Sequence, residues 1–433
     1  MSALDSLLAA APDAGLLPGF DYSVIPSSSA VVDRKQSKVA HPTSATTLTA
    51  GGTTQCRIPI GSDGFCDSSS VRLAFTVQNN DATKALAPIG GPWCAWGAVR
   101  LMSQGTEVER IDLYGRHHEL FGFQLLPFQE QWSESAVCGL HGSWASGMSQ
   151  LQPKLGRISA GKSVTVMHKL HLSLFNSHKI LPLRFCPLSL ELQIAPVSYW
   201  CDVTTQESGE DKYSNLFSIA DVRVIYDEIE PDQAIVSSFY KGLLANQIMA
   251  IPVLCASQFT ADVPSSASTL DVMSSRSFSK ISSVWVTFST ILGDNNVAFQ
   301  CPSSHVGEVH GEQPLMDSGS PSWAPSFRLS IGGKNVPDPL PADSIQMQYY
   351  NLVRALGYSP NLTRQDYLFG TYATVFDMKR VPFDHGSGIS SRSGDQIRIE
   401  VRNMTPGNVK TCHVTVFNYA VVAIRESGVS LLN

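Results

Sequence analysis

Charge is scarce in this 433-residue chain: Asp, Glu, Lys and Arg together make up 16% of it, against about 25% in an ordinary soluble domain. Hydrophobic residues make up 43%. Disorder along the whole length goes with high charge and few apolar side chains, so it is excluded. No apolar run approaches the ~18–20 residues that cross a bilayer as a helix. A basic excess is missing too: 31 Lys and Arg against 37 Asp and Glu leave a formal net charge of −6. Electrostatic nucleic-acid binders normally carry the opposite balance. Residues 1–30 contain Asp5, Asp13 and Asp21 but no Lys or Arg. Met1–Leu17 therefore lacks the positive start of a secretory leader, and Ser2 stands where myristoylation needs Gly.

Cysteine is present but unpatterned. The nine cysteines (Cys56, Cys66, Cys94, Cys138, Cys186, Cys201, Cys255, Cys301 and Cys412) are odd in number and show no CxxC spacing. Neither a disulfide framework nor a zinc site is expected. Several lie in apolar runs, where Cys behaves as a small hydrophobe, as in a reducing compartment.

The motifs of catalysis are also missing. There is no G-x-S-x-G elbow and no phosphate-binding or dinucleotide-binding glycine fingerprint. His117-His118-Glu119 contains an H-x-E, but the P-C-x-x-C partner of zinc deaminases is absent; the plain reading is a surface or domain-edge helix. His168 is in phase with Val164, Val166 and Leu170 on a predicted strand while His171 is out of phase, so the two should not converge on one ion. Two carboxylate-rich places, Asp227–Asp232 and Glu107/Glu109/Asp112, allow a glycosidase pair in principle. The first more simply caps and solvates a helix N-terminus, where negative charge is favoured. No catalytic residue, metal ligand or cofactor is predicted.

What the sequence does contain is β alternation. Val71, Leu73, Phe75 and Val77 alternate with polar residues, as do Leu188, Leu190, Leu192 and Ile194, and Ile397, Ile399 and Val401. This period of two marks strands with one buried face. Further strands are expected at Val99–Met102, Val108–Ile111, Val164–Leu174, Val222–Tyr226, Ile281–Phe288, Phe327–Ile331, Thr371–Asp377 and Cys412–Ile424. Many strands separated by Gly/Pro/Ser-rich turns indicate sandwiches or barrels. Three helices interrupt them. Asp112 is a candidate cap for a short one through Phe121. Pro231 is placed to open another through Leu243. Asp343 or Ser344 caps the strongest, which buries Ile345, Tyr349, Leu352, Val353 and Leu356 and ends at Gly357. The N-terminal 50 residues are a separate Ala/Ser/Thr/Pro-rich zone, with Leu4, Leu7 and Leu8 spaced for a short helix. Trp93, Trp96, Trp132, Trp144, Trp200 and Trp323 fall mostly in segments between strands, as interface anchors or as plugs of small satellite cores.

The organisation repeats. In the first half Val99-Arg100-Leu101 precedes a Gln104-Gly105 turn, a second strand and a short helix. In the second half Phe327-Arg328-Leu329 precedes a Gly332-Gly333 turn, Lys334-Asn335-Val336 and the Ser344–Leu356 helix. Two similar β-domains of roughly 200 residues each follow, meeting near Asp227–Gly242.

A family resemblance rests on these segments. "ADVRVIYDEIEPDQ" (Ala220 to Gln233) followed by a helix and a new β-domain resembles the connection in double jelly-roll major capsid proteins. "FRLSIGGKNVPDPLPADSIQMQYYNLVRALG" (Phe327 to Gly357), with its paired Tyr349-Tyr350, resembles the second jelly roll of that family, and "VFNYAVVAIRESGVSLLN" (Val416 to Asn433) its last strand and tail. The likeness is to capsid proteins of Polinton-like and adintovirus-like DNA viruses and of virophages. It implies an all-β chain of two consecutive jelly rolls: an N-terminal arm over residues 1–50, a first jelly roll over 51–228, a linker helix over 229–246, a second jelly roll over 247–425 and a tail over 426–433. It also implies homotrimeric, pseudo-hexagonal capsomers in the virion, with neighbouring capsomers, penton and minor capsid proteins or an internal membrane as partners. The segments Gly139–Ala160, Gln206–Leu216 and Pro302–Trp323 are then loops that lock trimers or project outward. Residues 1–30, where a genome-binding arm would have to lie, carry no basic residue, which predicts no direct genome binding. Two other readings are a single-jelly-roll RNA-virus capsid protein with a projecting β-domain, and a two-domain β-sandwich carbohydrate-binding protein or glycan hydrolase.

Overall fold

The computed structural model describes residues 32–432 apart from 142–153, 202–212, 290–298, 303–324, 337–342, 380–387 and 392–394 and positions 45, 50, 62–63, 246, 300, 361, 363, 408 and 427. The expected N-terminal helix at Leu4–Leu8, Trp144, Trp323 and most of the three expected loops lie outside the described residues.

Along the first half run β1 (Val32–Ala40), β2 (Thr47–Thr49), β3 (Gln55–Ile60), β4 (Phe65–Asp67), β5 (Arg72–Asn79), β6 (Trp96–Ser103) and β7 (Thr106–Ile111). Helices α1 (Tyr114–Glu119) and α2 (Phe128–Cys138) follow, then β8 (Leu140–His141), β9 (Lys154–Leu155), β10 (Ser163–Lys169), β11 (Ile180–Leu181), β12 (Leu188–Ile194), the turn of helix α3 (Val197–Trp200) and the long β13 (Phe217–Pro231). The second half runs α4 (Gln233–Leu244), β14 (Met249–Asp262), β15 (Leu270–Ser274), β16 (Ile281–Ser289), β17 (Ser326–Ile331), β18 (Lys334–Asn335), α5 (Ile345–Leu356), α6 (Arg364–Phe369), β19 (Thr374–Asp377), β20 (Ile397–Arg402), β21 (Thr411–Arg425) and β22 (Gly428–Leu432).

These strands build two sandwiches with one topology. The first pairs a sheet ordered β10-β5-β13, extended by β4 and β11 and flanked on β13 by β1 and β2, with a sheet ordered β3-β12-β6-β7. The second pairs β14-β21-β16-β19, with β22 on β21, with β15-β20-β17-β18. Strand for strand, β10-β5-β13-β1 repeats as β19-β16-β21-β14, and β3-β12-β6-β7 repeats as β15-β20-β17-β18. Helices sit at the same point of each, α1 and α2 after β7, α5 and α6 after β18. The hairpins match too: Gln104 and Gly105 have φ of 47° and 85°, Gly332 and Gly333 of 58° and 77°. Two consecutive positive φ angles make the turn whose twist suits antiparallel strands.

The alternating strands bury one face as predicted. In β20 Ile397, Ile399 and Val401 are buried, while Arg398 on the other face meets Asp271 at 3.1 Å. Helix α5 begins with Ser344 Oγ accepting from Met347 N at 3.2 Å and ends at Gly357 with φ 77°, a left-handed position open to Gly at no steric cost. In β16 every residue is buried. Its inner face lines the sandwich core, and its outer face is covered by the first half of the chain.

Several expectations require correction. Residues 32–40 and 47–49, assigned to the arm, are strands β1 and β2 of the first sandwich, which therefore starts before residue 51. Arg34, Lys35 and Lys38 hid this strand, because it is an exposed edge whose charges face water and acidic neighbours. Pro231 does not open α4; it is the last residue of β13, and α4 starts at Gln233. Residues 428–432 of the expected tail form β22 on β21. The strand expected over Val164–Leu174 stops at Lys169. Asp112 does not cap α1: its carboxylate accepts from Arg110 at 2.6 Å, and Leu113 occupies the cap position without a side-chain bond.

Candidate functional site at the junction of the two sandwiches

Helix α1 has the sequence Tyr-Gly-Arg-His-His-Glu, and all six residues are buried. Four of them carry ionisable side chains other than the tyrosine, an arrangement rare in an interior. It is possible because α1 is the wedge between the sandwiches, where each polar group finds a partner on one side or the other. Gly115 lets it approach closely: a Cβ there would lie 2.8 Å from Cys94 Cα.

Towards the second sandwich, Arg116 donates from Nη2 to Thr287 Oγ1 at 3.0 Å and to Phe288 O at 3.1 Å. Its guanidinium lies 4.2 Å over the Phe299 ring, a cation–π contact strengthened by the absence of water. Burial drags its pKa down to about 9. Phe121, one turn on, packs edge-to-face against Trp285 and Phe417 at 5.0 and 4.9 Å. Leu113 N donates to Gln258 Oε1 at 3.2 Å. A cavity of about 10 Å³, lined from both halves, remains between Arg116, His117, Thr287 and His413.

Glu109 on β7 joins the same two bodies through backbone. Its Oε2 accepts from Ser173 N at 2.6 Å and its Oε1 from Ala256 N at 3.1 Å. The second bond satisfies an N–H of β14, a strand at the edge of its sheet and therefore in need of outside acceptors. Burial pushes the Glu109 carboxyl up to about 6, against the pull of these two N–H groups.

Towards the first sandwich, Glu119 gathers donors. Trp93 Nε1, Gln124 Nε2 and Gly91 N reach its carboxylate at 2.6, 2.9 and 3.3 Å, and the Cys94 thiol at 3.7 Å. Burial raises its pKa and the donors oppose the rise. His118 stacks on Trp93 at 4.3 Å, and both His118 and His168 donate to Lys169 O, at 2.8 and 2.9 Å. His117 shares a proton position with His171, Nε2 to Nδ1 at 3.1 Å.

His168 and His171 each approach the ring of His118. Alternation does not separate His168 from His171, since the chain leaves β10 between them. Their rings and that of His118 lie 5.3 and 6.0 Å apart, centroid to centroid. Among the described residues no group of three metal-ligating side chains has metal-binding geometry. His117 and His118 are on a buried junction helix, not a surface one; the signal available in the sequence was the Leu-Tyr-Gly opening, apolar and small where a surface helix would be polar.

The acidic junction segment is a different device. Lys35 reaches Asp227 at 3.1 Å and Lys38 reaches the buried Glu228 at 2.5 Å. Ser37 and Gln36 add bonds to the same pair of carboxylates. The basic face of β1 neutralises Asp227 and Glu228, which lie on β13 and cap no helix, whereas Asp232 directly precedes α4 and its carbonyl accepts from Val236 N at 3.2 Å. Glu107 pairs with Arg100 at 2.9 Å. The tryptophans divide as well: Trp93, Trp96 and Trp200 are core plugs, and Trp132 is 52% exposed. All nine cysteines are buried thiols outside any disulfide.

No protein-family model and no curated protein matches this chain. Solved structures do. The Faustovirus major capsid protein is similar at a TM-score of 0.63 and 9% identity, over 98% of this chain and 94% of that one. A chain of the Sputnik virophage structure gives 0.61 and 9%, over 96% and 92%. The mavirus major capsid protein gives 0.53 and 10%, over 97% and 95%. The fold is a double jelly roll. Identity this low speaks for the fold and not for individual side chains. Its two rolls share a boundary in which apolar clusters interpenetrate. Ile251, Val253, Ala420, Val422 and Ile424 of the second roll belong to the core of the first, and Leu120 and Leu125 of the first to the core of the second.

Proposed function

We propose that this chain is a major capsid protein. Three copies form a pseudo-hexagonal capsomer, and capsomers tile an icosahedral shell in the virion. The observation that carries this reading is the duplication itself: two jelly rolls of the same strand order, held together by a buried junction. Three such chains around a threefold axis supply six similar modules, and a single heterologous interface closes the ring. The neighbours named as major capsid proteins support it, since likeness extends over nearly the full length of both chains.

Low charge suits the task, because desolvating few ions lowers the cost of broad contacts. Exposed apolar side chains offer such contacts: Phe128 and Trp132 on α2, Phe239 and Tyr240 on α4, and Tyr350 on α5. Neighbouring capsomers, penton and minor capsid proteins and an internal membrane are the proposed partners.

The RNA-virus alternative needs a second domain unlike the first, and the matched strand orders disfavour it. The glycan-binding alternative needs an open groove with two free acids. Glu109 and Glu119 are buried and committed to N–H donors. The function is read as structural, with no catalytic residue assigned. Native mass measurement tests this: the expected species is three times the 46.9 kDa chain, seen as a triangular-to-hexagonal particle by electron microscopy. A stable monomer at micromolar concentration refutes it.

A further inference from the structure

Five imidazoles line the junction: His117 and His118 on α1, His168 at the end of β10, His171 just beyond it, and His413 on β21. Each has one nitrogen in a hydrogen bond, to His171, Lys169 O, Lys169 O, His117 and Ser289 Oγ respectively. The other ring nitrogens of His117, His118, His168 and His413 are buried with no acceptor. A second proton on any of these would place an N–H donor against apolar surface, a costly arrangement.

The charged surroundings give relief at one place, where Glu134 favours a charged His168 and its own partner Arg72 opposes it. Arg116 lies beside His413, Lys169 beside His171, and the Arg72–Glu134 pair, bonded to itself at 2.9 Å, faces His168. Glu109 is tied to Ser173 N and Ala256 N, and Glu119 to Trp93, Gln124 and Gly91. The Tyr114 hydroxyl oxygen accepts from His171 N at 3.1 Å, and Cys94 and Cys412 are thiols. His117 faces the second roll directly, its ring 6.0 Å from that of Phe417, and its partner His171 is a half-buried residue.

We propose that this histidine cluster makes the junction an acid-labile latch: proton uptake on His117, its partner His171 and His413, which line the seam with the second roll, drives α1 away from β14 and β21 while each roll keeps its fold. Burial holds all five imidazoles below their usual range, His168 and His171 down to about 4. The open state, with ordinary imidazoles, therefore takes up protons first. Latch strength is full above about pH 6.5 and falls as pH drops towards 4. Glu109 and Glu119 act in the opposite sense, since their raised values favour proton uptake in the closed state. At the seam, three imidazoles outweigh the one bridging carboxylate, Glu109. The device belongs to the isolated chain and does not rest on the shell-building role.

Hydrogen exchange of the full-length protein at pH 7 and pH 5, corrected for intrinsic exchange rates, tests it. Peptides covering 109–119, 168–175 and 252–260 are expected to lose protection by about twentyfold for each histidine released at pH 5. Peptides covering β12 and β20 are expected to stay protected. His171→Asn, at a partly exposed site, should reduce the loss, and His117→Gln/His171→Asn should reduce it further. Three results would overturn the proposal: no loss at the junction, equal loss in junction and sheets, or an undiminished response in His171→Asn.

Discussion

Replacing Glu119 with Leu measures what the wedge helix contributes. Leucine fills similar space but removes both oxygens. The N–H groups of Trp93, Gln124 and Gly91, now 2.6 to 3.3 Å from the carboxylate, lose their acceptor inside the protein. Each orphaned donor costs about 1–3 kcal/mol. Against this, the variant no longer buries a carboxylate whose charged form is disfavoured, which returns part of the loss. The net destabilisation expected is about 3 kcal/mol, or a fall of about 6–12 °C in Tm for a folding unit of roughly 200 residues. Glu119→Gln keeps one acceptor and should lose less than half as much at pH 7.5. Because the folded pKa is raised, the wild-type carboxyl contributes its full stability at low pH and loses it as pH rises. The penalty of the Gln variant should therefore be larger at pH 5 than at pH 7.5. Thermal unfolding followed by tryptophan fluorescence reads these values, since Trp93 is the probe nearest the change. A Glu119→Leu midpoint within about 2 °C of wild type would refute the reasoning that these donors depend on one carboxylate.

Further expectations follow from the same contacts. Gly115→Ala should destabilise by about 1–3 kcal/mol in urea titration through the Cys94 backbone clash, although Ala is the better helix former; a gain in stability would contradict the close approach. Lys38→Met removes the cation from buried Glu228 and should cost about 1–2 kcal/mol, moderated by the partial exposure of Lys38. His168, whose folded pKa is about 4, stabilises above pH 6.5 and withdraws up to about 3 kcal/mol as pH falls to 4; His168→Gln should flatten that limb of a pH-stability curve. Deleting residues 1–31 should leave capsomers intact by native mass measurement and impair shell assembly, whereas deleting 1–40 also removes β1 and should reduce soluble protein.

What was legible in the sequence was whatever depends on neighbours along the chain. Alternation in Leu188–Ile194 and Ile397–Val401, the Ser344 cap, the Gly357 stop and the paired turns at Gln104-Gly105 and Gly332-Gly333 are local, and they carried the twin-sandwich architecture. What failed was decided by partners far away in sequence. Strand β1 reads as a polar arm until β13 supplies Asp227 and Glu228, nearly 200 positions later. The Trp93 and Trp200 segments read as loops because nothing nearby shows that Glu119 and Phe217 close over them.

The junction was the least legible part, and the reason is physical. Each of its members has a sufficient local explanation: a histidine out of phase on a strand, an acid on a hairpin, an arginine on a short helix. Only the topology brings them together, by turning the outer face of the β16–β21 pair towards α1. An apolar seam would have been easier to read and cheaper to bury. A polar one, in which Arg116 and Glu109 must each find specific backbone groups across the boundary, fixes a single relative placement of the rolls, because sliding by one residue would strand a charge. In the proposed capsomer that fixed placement matters more than extra stability.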